Sequence, residues 1–316
     1  MTEEAMTDSG TSSVSGVITG QPVVDFSHLT ADALAAVSRI EGVAAVIVPE
    51  SLAGQYSAIP ATGVAATIYV PDGASVRVHV GPMTVGGDGL GAAEDILVIV
   101  GLLIITSPVT GTVPHRISVV GSVLAPRGSE PVLGQVLGGG VGTVSYYQHS
   151  DGQDIKVLSG QVNISGTTLA NTAGTPDDIL LVAGQVVVTA PVSSVGYARV
   201  IAAGQLFAPA ASREVLEPRT QTLGQSAWYR GDDPRIFFQN ASLGPDFFRL
   251  LDHPVSLIVM ADVSFTAGVT EAMVQEKVAD IINFGSLVAP ADLVPILQVR
   301  ATDNFGSIRA DDGPGS

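Results

Sequence analysis

The run from Asp178 to Leu216 reads DILLVAGQVVVTAPVSSVGYARVIAAGQLFAPAASREVL, and nearly the same text stands at Asp95 to Leu133. In the later copy, two short apolar stretches lead into Gly184-Gln185 and Gly204-Gln205, and each pair is followed by more apolar residues and an Ala-Pro ending at Pro191 or Pro209. Alternating β-branched residues over about five positions make a strand with one buried face. Glycine lets the backbone turn or approach a neighbour closely, and proline ends the strand because it donates no ladder hydrogen bond. A strand this short cannot bury its apolar face alone. Stacking layer on layer does so and places like residues above like.

The two copies fix a long period. Asp95 matches Asp178, Gly101 matches Gly184 and Gly121 matches Gly204, each 83 residues on. Ser145-Tyr146-Tyr147 matches Ala227-Trp228-Tyr229, and Asp151-Gly152 matches Asp232-Asp233. Earlier, Thr67-Ile68-Tyr69, Asp72-Gly73 and Gly81 repeat the same frame, and Arg309-Ala310-Asp311-Asp312 echoes Arg230-Gly231-Asp232-Asp233. The expected organisation is an acidic, disordered tail over 1–16 and a single domain over 17–316. That domain is built of units of about 80 residues, 17–90, 91–172, 173–250 and a truncated 251–316. Inside a unit the marker glycines Gly81, Gly101, Gly121, Gly160, Gly184 and Gly204 imply layers of 20–24 residues. The fold class this predicts is mainly β: an elongated repeat solenoid of stacked short parallel strands, with a few short helices on one side.

Composition suits narrow layers. Hydrophobic residues make up 46% and aromatics only 5%, so the core must come from Val, Ile, Leu and Ala. Helices are expected over Thr30–Ile40 and Thr270–Ile282, each with its threonine as N-cap, and over Pro245–Leu251. The recurring Gly-Gln pairs, if stacked, would form partial amide ladders. A strand, a turn and a short helix or loop every 20-odd residues resembles leucine-rich repeats in architecture only, because the column their asparagine would occupy holds Ser122, Gln185 and Gln205.

Charge excludes some partners. The net charge is -16 with two lysines, Lys156 and Lys277, so no basic stripe exists to neutralise nucleic-acid phosphates. The chain has no cysteine, which removes disulfides and thiolate metal sites. The N-terminal stretch lacks a basic region followed by an apolar one, so no signal peptide is recognised. The longest apolar run, Ile96 to Ile105, is about half a membrane span. The cytoplasm is the default expectation, with an unconventional surface location as the alternative.

Chemistry is sparse. The five histidines form no H-E-x-x-H or H-x-H spacing, so no metal site is expected. No G-x-S-x-G precedes a helix, no Walker loop occurs, and adjacent acids such as Asp177-Asp178 point apart on turns. No catalytic residue and no cofactor is expected. One constellation remains: Tyr69, Tyr146-Tyr147 and Trp228-Tyr229 hold equivalent places in successive units, with Asp72, Asp151 and Asp232 nearby. Exposed, these side chains would form an interaction strip; buried, they are the large residues of one core layer. The expectation is a non-enzymatic scaffold that binds a protein partner or itself, since the truncated fourth unit leaves strand edges open to another copy. The alternative is a carbohydrate- or ligand-binding protein, or a carbohydrate-active enzyme, using the aromatic and acidic strip.

Overall fold

The computed structural model describes residues 16–91, 96–138, 142–150, 152–231 and 233–311. Strands hold 45% of the residues and every strand pair is parallel, so the mainly β expectation stands at that level. The chain divides into two compact units, Met1–Asp151 and Gly152–Ser316, each with its own sheets.

The N-terminal unit begins with a stack of three layers. Each layer has two strands: β1 (Gly16–Thr19) with β2 (Val23–Asp25), β3 (Val37–Glu41) with β4 (Ala45–Pro49), and β5 (Ala61–Thr62) with β6 (Ala66–Val70). The short helices α1 (Ala31–Ala35) and α2 (Ala53–Tyr56) carry the chain from one layer to the next. First strands pair with first strands, β1-β3-β5, and second with second, β2-β4-β6. A second stack follows: β7 (Val76–Val85), β8 (Ile96–Ile105), β9 (Ile117–Pro126) and a split fourth layer, β10 (Leu137–Gly138) and β11 (Thr143–Tyr147), after helix α3 (Glu130–Val136).

The C-terminal unit holds two stacks of four layers. The third stack comprises β12 (Ile155–Ile164), helix α4 (Gly166–Leu169), β13 (Ile179–Val188), then β14 (Arg199–Ala202) with β15 (Leu206–Pro209). Helix α5 (Arg213–Leu216) leads to its last layer, β16 (Thr220–Thr222) with β17 (Ser226–Tyr229). The fourth stack begins with β18 (Pro234–Phe237), β19 (Ala241–Leu243), helix α6 (Pro245–Arg249), β20 (Val255–Val259) and β21 (Asp262–Phe265). It ends with helix α7 (Glu271–Lys277), β22 (Val278–Asn283), β23 (Ser286–Ala289), helix α8 (Val294–Arg300), β24 (Ala301–Asn304) and β25 (Ser307–Ala310).

Register follows the repeated text. Gly81 pairs with Gly101, Gly101 with Gly121, and Gly160 with Gly184. Gly101, Gly121 and Gly184 have φ of +142°, +144° and +144°, and a Cβ on any of them would overlap the carbonyl oxygen of the glycine one layer below. These positions admit no other residue without strain. They divide each ten-residue strand into two halves, and β13 accordingly pairs with β14 along its first half and β15 along its second.

One continuous stack was expected, and the sheets are instead several and separate. The reason is in the outer faces. Each stack has its own core, for example Leu97, Ile99, Leu103, Ile117, Val119 and Leu133 in the second. A further cluster joins two stacks within each unit. Ala45, Ile47, Ile68 and Val70 of the first stack meet Val76, Val78 and Val98 of the second. Val187, Phe207 and Tyr229 of the third meet Ile258 and Ile282 of the fourth. Strands that are apolar on both faces bury the second face by packing sheet against sheet, which a single coaxial coil leaves in water.

The predicted helices are real but shorter. Thr30 and Thr270 cap α1 and α7 through their hydroxyls, 3.3 Å from the amides of Ala33 and Met273. The expected helices end at Ile40 and Ile282, but their last residues, from Val37 and Val278 on, belong to strands β3 and β22. Their β-branched residues enter the parallel ladders with β1 and β20, and ladder pairing outweighs helical spacing there.

Candidate functional site

No described strand pairs beyond the last layer of each stack, and one column of side chains can be followed into that layer. In that column Tyr69 stands on Val48, Tyr146 on Ala125, Trp228 on Ala208 and Ala310 on Ala289. Tyr146 and Trp228 are half-buried and pack against the cores of the second and third stacks. Tyr69 is 47% exposed. The fourth stack holds alanine at the equivalent place.

The neighbouring column is different. Tyr147 and Tyr229 are buried, and their hydroxyls donate to the carbonyl oxygens of Ile105, at 2.7 Å, and of Val188. Both acceptors lie two layers away. The layer between holds Pro126 or Pro209 at the position whose amide would otherwise reach that carbonyl, by the register of β8 with β9 and of β13 with β15. Proline has no N–H, so the tyrosine supplies the missing donor. Burial pushes the Tyr147 hydroxyl pKa well above its ordinary value.

Charged residues flank the column of Tyr69, Tyr146 and Trp228. The Tyr146 hydroxyl pKa is raised by its partial burial and by the nearby Glu130 carboxylate. The Arg213 guanidinium lies 5.4 Å from the Trp228 ring centroid and pairs with Glu217 at 3.2 Å. Leu206, Glu217, Thr220, Thr222, Ser226 and Trp228 line a cleft of ≈ 200 Å³. Asp72 accepts from the Ser51 hydroxyl at 2.7 Å. Asp151 and Asp232 lie outside the described residues. Tyr69, Tyr146 and Tyr147 belong to the N-terminal unit, Trp228 and Tyr229 to the C-terminal one.

Two polar clusters were not anticipated, and both serve the fold. Lys156 Nζ lies 3.0 Å from both Asp178 Oδ2 and Asn171 Oδ1, and 5.5 Å from the Tyr197 ring centroid. The Thr175 hydroxyl, then Lys156, then Asn171 hold the Asp178 carboxyl well below the usual carboxylate range. The hydrogen bond to Asp178 raises the Lys156 ammonium in turn. In the second cluster, buried Asp280 accepts from the Ser256 hydroxyl and from the Arg230 amide at 2.9 Å, while the Gly231 amide donates to Ser256 Oγ at 2.8 Å. Lys156 would have been visible in sequence as one of only two lysines. Asp280 carries no local signal, because its partners come from other layers.

No group of three His, Asp or Glu suited to a metal occurs among the described residues. No described helix is long and apolar enough to cross a membrane. No family model, curated protein or solved structure matches this chain.

Proposed function

We propose that this protein is a non-enzymatic scaffold, a set of short β-solenoid segments that acts by binding protein partners, including further copies of itself, at the open ends of its stacks. The observation that carries this reading is at the end of the fourth stack. The Asn283 amide donates to Asn304 Oδ1 at 2.8 Å, and the Phe284 and Phe305 rings stack with centroids 4.7 Å apart. Asn304 ends β24 and Phe305 stands in the turn before β25, and the outer edges of these two strands have no strand partner among the described residues. Phe305 is 52% exposed there, and Ala310 stands in the same layer where the other stacks carry Tyr69, Tyr146 and Trp228. Another layer added at this edge would continue the ladder, the amide column and the ring stack together. Light scattering across a concentration series tests it: the apparent mass should rise with concentration and fall to the monomer in Phe305→Asp. A concentration-independent monomer in the unaltered protein would exclude self-association.

A second reading, sugar or other ligand binding, is favoured by the Trp228 cleft. It combines an aromatic wall with Glu217, Thr220, Thr222 and Ser226 as hydrogen-bonding groups. Trp228 is the only tryptophan, so a glycan bound there would shift the protein's indole emission. An unchanged spectrum across a glycan panel leaves the scaffold reading alone.

A further inference from the structure

The first stack is one layer short among the described residues, and its neighbour is not. The sheet β2-β4-β6 stops at β6, while the sheet packed against it continues through β9 and β10. Val98, which meets the first stack, is followed in its column by Ser118 and then Gly138. Ile96 is followed by Arg116 in the adjacent column by the same register. The result is a notch of ≈ 200 Å³, lined by Thr67, Ile68, Tyr69, Ile96, Arg116, Ser118 and Gly138 among others. Its floor is the free edge of β6. The Ala66 amide donates to Ala44 on the paired side, so alternation turns the amides and carbonyls of Thr67 and Tyr69 into the notch.

The walls define what would fit. Gly138 has no side chain to fill the space. Arg116 is exposed and makes no ion pair with any described residue, although the chain carries a net charge of -16. A strand laid on β6 would turn alternate side chains toward Arg116 and Ser118, and the others over the exposed Tyr69 ring. We infer that this notch is a docking site for an extended peptide segment, added as a strand to β6, with acidic residues toward Arg116 alternating with apolar residues over Tyr69. Main-chain pairing would give affinity and Arg116 the charge preference. The site lies in the N-terminal unit and does not depend on self-association through the fourth stack.

The probe is a dye-labelled Val-Glu-Val-Glu-Val peptide, blocked at both ends, with its Lys-for-Glu counterpart as control, read by fluorescence anisotropy. The acidic peptide should bind the full chain and slow hydrogen exchange at Thr67 and Tyr69. Arg116→Glu should weaken it by about tenfold and favour the lysine peptide. Thr67→Pro should abolish binding of the acidic peptide; the amide it removes faces the notch rather than β4, and Thr67→Val, which loses only the hydroxyl contact with Tyr56, is the control that should still bind. Equal affinity for both peptides, retained binding in Thr67→Pro, or no binding to the unaltered protein would each overturn the inference.

Discussion

The Tyr147 hydroxyl donates to the Ile105 carbonyl oxygen at 2.7 Å, reaching past the strand whose Pro126 cannot. Tyr147→Phe keeps the ring and loses the donor, leaving a buried carbonyl unsatisfied; the expected cost is about 1 kcal/mol. Tyr147→Ala should cost roughly 3–5 kcal/mol by opening a cavity. If the tyrosine substitutes for the missing amide, Pro126→Ala should reduce the cost of Tyr147→Phe. A double-mutant cycle from urea unfolding measures this, and strict additivity would refute it.

Asp178 gives the stability a pH dependence of known sign. Its folded pKa lies below the unfolded value of about 3.9, so its contribution is complete above that value and is lost as pH falls through and below it. Asp178→Asn should therefore lower the urea midpoint at pH 6 and differ less and less from the unaltered protein toward pH 2. A difference that stays constant over that range would mean that the network with Thr175, Lys156 and Asn171 does not stabilise the ionised form.

Much of this architecture was legible because the layer text is written repeatedly. Gly101 and Gly121 have to stack once their strands pair, and they do. The helix caps Thr30 and Thr270 were legible too, because capping is a local hydrogen bond. The breaks between stacks were not. Val98 and Ile99 look alike in sequence, yet Ile99 faces its own core and Val98 the adjoining sheet. Apolar residues on both faces say that both faces are covered, without saying by what. The Arg116 notch was invisible for the same reason, since it arises from a difference in layer number between two sheets.

Gly121 tests the register directly. With φ of +144° and the Gly101 carbonyl where a Cβ would lie, Gly121→Ala combines backbone strain with a main-chain clash. The expected loss is roughly 3 kcal/mol, seen as a lower melting temperature. Gly111→Ala, where the same methyl meets nothing within 4 Å, is the control and should be near neutral. Equal effects at the two sites would mean that the glycine column is not close-packed.

Asp280 joins the crossing between the third and fourth stacks to the sheet beyond it. Arg230 and Gly231 leave β17, and their amides must find acceptors where no ladder continues. Asp280 takes the first at 2.9 Å, and Ser256 takes the second at 2.8 Å while donating its own proton to Asp280. Asp280→Ala orphans the part-buried Arg230 amide and the buried Ser256 hydroxyl together and should cost roughly 2 kcal/mol, most of it from the hydroxyl. Ser256→Ala orphans the Gly231 amide and removes one of the donors to Asp280, so it should cost roughly half as much. Asp280→Asn still accepts from Arg230 and should fall between the unaltered protein and Asp280→Ala. Global stability alone does not locate the effect, so hydrogen exchange is the deciding measurement. The Arg230 amide should exchange faster in Asp280→Ala than global unfolding explains, and the Gly231 amide faster in Ser256→Ala. Unchanged protection at both amides would show that the crossing is held by the apolar contact of Tyr229 with Ile258 and Ile282 instead.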